Sequence, residues 1–68
     1  MRHVSGKAMA TILKARGWVH VRTNGSHFIF RHPDSPNRID LPIHANKDLA
    51  PGTQRDVMRK AGMTDENL

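Results

Sequence analysis

Apolar positions recur first at helical and then at strand spacing. Met9, Ile12 and Leu13 fall at i, i+3 and i+4 with Ala8 and Ala15 beside them, while Lys7, Lys14 and Arg16 are charged. That period predicts an amphipathic helix over Gly6–Arg16. Ser5 can cap its first amides, Lys14 and Arg16 lie where the helix dipole favours cations, and Gly17 suits a left-handed stop.

From Trp18 to Thr23 the period drops to two, with Val19 and Val21 on one face and Trp18, His20 and Arg22 on the other. Asn24-Gly25 follows, a pair that favours a type I′ hairpin turn. A second strand, Ser26–Arg31, sets Phe28 and Phe30 opposite His27 and Arg31. The segment His32–Asn37 reads as a loop, because Pro33 and Pro36 lack ladder donors and Asp34, Ser35 and Asn37 favour turns. A third strand, Arg38–Pro42, sets Ile39 and Leu41 opposite Arg38 and Asp40. With all three strands in phase, Val19, Val21, Phe28, Phe30, Ile39 and Leu41 share an apolar face. The other face collects His20, Arg22, His27, Arg31, Arg38 and Asp40, and Trp18 and Ile29 break the rule.

Pro42–Ala50 has no period. Pro51 then fits the first position of a second helix, with Gln54, Val57, Met58 and Ala61 on one stripe, Gly62 closing it and Met63 available for a contact beyond. Thr64–Leu68 is a short acidic tail expected to fray. Each helix has one apolar stripe and the sheet one apolar face. The α-β-β-β-α order therefore predicts an α+β fold, a three-stranded antiparallel sheet with both helices packed on one face. That is the dsRBD-like topology of double-stranded RNA-binding domains.

The 68 residues allow one domain, 1–68, with a small core. There is no cysteine, which removes disulfides and thiolate metal sites. No charged start runs into a long apolar segment, and no apolar run approaches the ~20 residues of a membrane span. The expectation is a soluble cytoplasmic domain with no membrane partner. Eleven Lys and Arg against six Asp and Glu give a net charge of +5. The pI near 10.9 puts nucleic acid well ahead as a partner, while an acidic protein or an anionic membrane surface would also satisfy the charge.

His27, beside a positive charge on the polar face, is the first chemical candidate. Imidazole accepts and donates protons near neutral pH, and RNA cleavage needs a base for the 2′-OH and an acid for the departing 5′-oxygen. By pattern alone His27 reads equally well as an idle histidine on a wet face. Its partner is open among His44, His20, His32 and Lys47. Gly25 and Ser26 read as a turn, and also as a backbone N–H and a hydroxyl able to hold a phosphate. Arg22, Arg31, Arg38, His44, Lys47, Lys7 and Lys14 are candidate phosphate contacts. Five histidines without the H-x-x-x-H spacing or any cysteine do not point to a metal site.

Several of these residues also form a larger pattern. Gly17-Trp18 after the first helix, Gly25-Ser26-His27, Phe30-Arg31-His32-Pro33, the run from Pro42 and His44 through Asn46-Lys47-Asp48-Leu49 to Pro51-Gly52-Thr53, and Ala61-Gly62-Met63 occur in order. Together they resemble the HicA toxin family over roughly Gly6 to Met63. Trp18 stands where that family more often has Phe, and the Asp34–Asn37 loop lacks a glycine common there. The resemblance implies a dsRBD-like mRNA interferase of a type II toxin–antitoxin system, with His27 catalytic, no metal or cofactor, and a HicB-type antitoxin protein that masks His27. A non-catalytic dsRBD-like module binding RNA by shape is the alternative; a third reading is a protein-interaction domain whose charge matches an acidic partner.

Overall fold

The computed structural model describes residues 1–68, with α1 at Gly6–Ala15, β1 at Val19–Asn24, β2 at His27–Arg31, β3 at Ile39–Pro42, α2 at Pro51–Ala61 and a 3-10 turn at Asp65–Asn67. The strands form one antiparallel sheet in the order β1-β2-β3. The expected α-β-β-β-α, dsRBD-like arrangement is present.

At the start of α1 the Ser5 hydroxyl accepts the Ala8 N–H at 3.0 Å. Met9, Ala10 and Leu13 turn inward. Gly6 is itself buried, and a Cβ there would collide with the Pro42 carbonyl, so the missing side chain lets α1 begin against the end of β3. On the inner face of the sheet Phe30, Ile39 and Leu41 are fully buried, and Val57 and Met58 of α2 join Met9 and Leu13 of α1 in one core with them.

The phase of β2 and β3 matches the alternation, but that of β1 does not. Val19 and Val21 are 55% and 53% exposed, whereas His20, itself still exposed, turns to the inner-face side, its ring 5.0 Å from Phe28 and 5.5 Å from Phe30. Trp18 explains the difference. It is buried in the core, and a large aromatic buries far more apolar area than a valine. Placing Trp18 inward turns Val19 to the outer face and His20 to the inner-face side. A bulge then follows, since His20 pairs with Phe30 but Arg22 with Ile29. The extra residue, Val21, resets the phase, and Arg22 ends up on the outer face where alternation had put it.

The turn also differs. Asn24 pairs with His27 as the last residue of β1, so Gly25 and Ser26 are the two turn residues. Gly25 has φ +62°, and neither Asn24 nor Ser26 has a positive φ. Positive φ at the first central residue alone marks a type II′ turn rather than type I′.

Gln54 is the one polar residue in the core. Its Nε2 donates to the Arg2 carbonyl at 2.6 Å and its Oε1 accepts the Val4 N–H at 3.2 Å. Both ends of the amide are used, as burial requires, and the N-terminal segment is pinned to α2. The tail, expected to fray, is instead hydrogen-bonded. The Thr64 N–H donates to Asn67 Oδ1 at 2.7 Å, and Arg2 Nη1 donates to the Leu68 carbonyl at 2.9 Å.

Candidate active site

Neither helix covers the outer face of the sheet, and its side chains fall into rows set by strand register. Asn24, His27 and Pro42 form the first row, Arg22, Ile29 and Asp40 the second, and Val19 and Arg31 the third. Arg38, one residue before β3, extends the third row. His27 and Asp40 are therefore diagonal neighbours on adjacent strands, within reach of each other's side chains.

They meet. His27 Nδ1 lies 2.7 Å from Asp40 Oδ1. An ionised carboxylate can only accept, so Nδ1 carries the proton and donates it. In the neutral ring that leaves the lone pair on Nε2. Both side chains remain about half exposed, at 53% and 45%. The result is an imidazole held in one tautomer, with its basic nitrogen available on an open surface.

The elements that carry this pair are tied together beside it. The Ser26 carbonyl accepts the Ile43 N–H at 2.9 Å, which joins the hairpin turn to the chain leaving β3. Gly25 has open space where a Cβ would be, so its role there is conformational. It leaves the backbone beside His27 uncovered.

Arg22 and Arg31 share the outer face with His27, as expected. With Val21, Ile29 and Arg38 they line a shallow depression. His44 and Lys47 lie elsewhere, in the loop between β3 and α2. There the Lys47 N–H donates to the His44 carbonyl at 3.0 Å, and Ala45 takes a left-handed φ of +49°. A cleft lined by Pro42, His44, Lys47, Asp48 and Thr53 opens there. Pro42 is the register partner of His27, which makes the two sites neighbours along β3.

Two of the histidines weighed as partners for His27 are committed to other contacts. His20, on the opposite face, has Nε2 2.7 Å from Thr23 Oγ1. His32 accepts the Asp34 N–H on Nδ1 at 3.0 Å, and its Nε2 donates to the Arg16 carbonyl at 3.1 Å. Its ring packs 5.2 Å from Trp18. Both nitrogens of His32 are thus spent on holding the end of α1 to the loop after β2.

Asp40 is the residue that sequence reasoning placed on the right face without giving it a role. The signal was present: pairing Phe28 and Phe30 with Leu41 and Ile39 brings Asp40 next to His27.

No helix is long and apolar enough to cross a membrane. Residues 6–63 match the family described as the HicA toxin of bacterial toxin–antitoxin systems. No curated protein matches the chain.

Proposed function

The chain belongs to the HicA toxin family, a toxin of the toxin–antitoxin kind, and on that premise we propose that it is a metal-independent endoribonuclease that cleaves mRNA with His27 as its proton-transfer group. The single observation that carries this reading is the 2.7 Å bond from His27 Nδ1 to Asp40. A histidine that must act as a base needs a fixed tautomer and a group to stabilise the imidazolium it becomes.

In the reaction Nε2 of His27 takes the proton of a ribose 2′-OH. The oxygen attacks the adjacent phosphorus, the bond to the 5′-oxygen breaks, and that oxygen takes a proton from the solvent reaching this open face. The products are a 2′,3′-cyclic phosphate and a 5′-hydroxyl. The nucleophile belongs to the substrate, so no metal-bound water is required. Asp40 faces the positive ring that forms. In this reading the Gly25 N–H and the Ser26 hydroxyl, adjacent to His27 in the chain, contact the scissile phosphate. Arg22 and Arg31 on the same face, with His44 and Lys47 in the neighbouring cleft, offset backbone charge.

An mRNA substrate puts the activity in the cytoplasm. The partner is a HicB-type antitoxin that covers His27. Controlled expression in a bacterial host tests the reading. Growth arrest by the wild-type chain, relieved by His27→Ala and by co-expression of a HicB-type antitoxin, supports it. Arrest by both chains to the same extent overturns the role of His27.

A further inference from the structure

Arg22, Arg31 and Arg38 surround Ile29 on the outer face, and none of them takes part in any of the molecule's four ion pairs. Arg31 reaches only the Pro36 carbonyl, at 3.4 Å. Ile29 is 5% exposed although it does not belong to the main core. Arg22, Arg31 and Arg38 line the same depression as Ile29 and are themselves exposed, the arrangement in which long side chains cover an apolar residue with their stems and keep their charged heads in water. The face therefore holds three guanidinium groups outside any ion pair around Ile29, in the same strand system as His27, and the Asp40 carboxylate in the second row is bonded to His27.

Their spacing is ordered. Two residues along a strand advance roughly 6.6 Å, comparable to the step between phosphates in an extended single strand of RNA. His27 occupies the first row, Arg22 the second, and Arg31 with Arg38 the third.

We propose that single-stranded RNA runs along the outer face of β2 away from His27, with the two phosphates beyond the scissile one held by Arg22 and by the Arg31–Arg38 pair. The proposal rests on the reading of the chain as acting on RNA, and it adds a direction and an extent to the substrate site. It also assigns a mode of recognition. Phe28 and Phe30 point to the inner face and Trp18 is in the core, so the track has no aromatic platform for base stacking. Binding along it comes from phosphate charge and tolerates different bases.

The test is equilibrium binding of a short labelled oligoribonucleotide to the non-cleaving His27→Ala chain across a salt series, with Arg31→Gln and Arg38→Gln added singly and together. Each exposed arginine lost is expected to weaken binding and to reduce the slope of log K against log[salt] by about 0.7. Oligo-U and oligo-A should respond alike, and Arg55→Gln on α2 should leave the slope unchanged. In the His27 background the same arginine variants should raise KM for cleavage with kcat preserved. An unchanged slope overturns the proposal, as does a loss of antitoxin binding with RNA binding intact, which would make this face a protein interface. Arginine-dependent binding by a wild-type chain that cuts nothing would remove the nuclease reading and keep the track. Cutting with an unaltered slope would do the reverse.

Discussion

His27 Nδ1 donates a 2.7 Å hydrogen bond to Asp40 Oδ1 across two adjacent strands, and this contact decides which ring nitrogen faces the solvent. A hydrogen bond to a charged group contributes ~1.5–3 kcal/mol. If that stabilisation is realised as the imidazolium forms, its loss corresponds to roughly a 10- to 100-fold slower reaction. Asp40→Ala should therefore lower kcat by about that factor with little change in KM. Asp40→Asn, which keeps an acceptor but no charge, should recover part of the loss. Single-turnover cleavage of one RNA by the three chains measures this. Equal rates for Asp40→Ala and wild type would show that Asp40 does not position His27.

His20 makes the opposite prediction. It lies on the inner face against Phe28 and Phe30, so His20→Ala should leave the cleavage rate unchanged. Stability should fall by about 0.5–1.5 kcal/mol, the scale of an aromatic pair. Parallel activity and thermal-unfolding measurements on the variant separate the two effects.

The contrast between these two histidines shows what the sequence made legible. Both sit at polar positions of alternating strands, and alternation assigned both to the outer face. For β2 and β3 it was correct, because Phe28, Phe30, Ile39 and Leu41 agree and no larger residue competes with them. In β1 the burial of Trp18 outweighs that of Val19 and Val21, and a bulge at Val21 carries no glycine or proline to announce it. The hairpin turn was located to within one residue, but its type was misread, because Asn24 completes the strand. The diagonal contact of His27 with Asp40 was implied by the two strands that did keep phase. The tail's hydrogen bonds depend on Asn67 and on the distant Arg2, which no local pattern reveals.

Gln54, the one polar residue in the core, should be costly to replace. Gln54→Leu keeps the apolar stripe of α2 but strands the Val4 N–H and the Arg2 carbonyl. Leaving such groups unpaired costs about 1–3 kcal/mol. In urea the midpoint should fall with the m-value unchanged. A midpoint equal to that of the wild type would mean that the N-terminal segment is held by other contacts.

On α2, hydrogen bonds from Lys60 and then Arg59 hold the Asp56 carboxyl below its ordinary value of 3.8. The unfolded chain thus takes up this proton more readily than the folded one. The pairing supports the fold above pH 3.8 and loses that effect as the pH falls through the lowered folded value. The group is exposed, so the contribution is small and screened by salt. Asp56→Asn should be slightly less stable than wild type at neutral pH and low salt. The gap should close on acidification and in high salt, as followed by denaturant titration.

Cleavage of a defined single-stranded RNA in the presence of EDTA, by wild type and His27→Ala side by side, decides whether His27 carries the proton transfer. Removing the general base should cost about 10²–10⁴-fold in rate. The wild type should cut and leave 2′,3′-cyclic phosphate ends, while His27→Ala leaves the RNA intact over the same period. Equal cutting by both chains, or none by the wild type, would contradict a metal-independent nuclease built on His27.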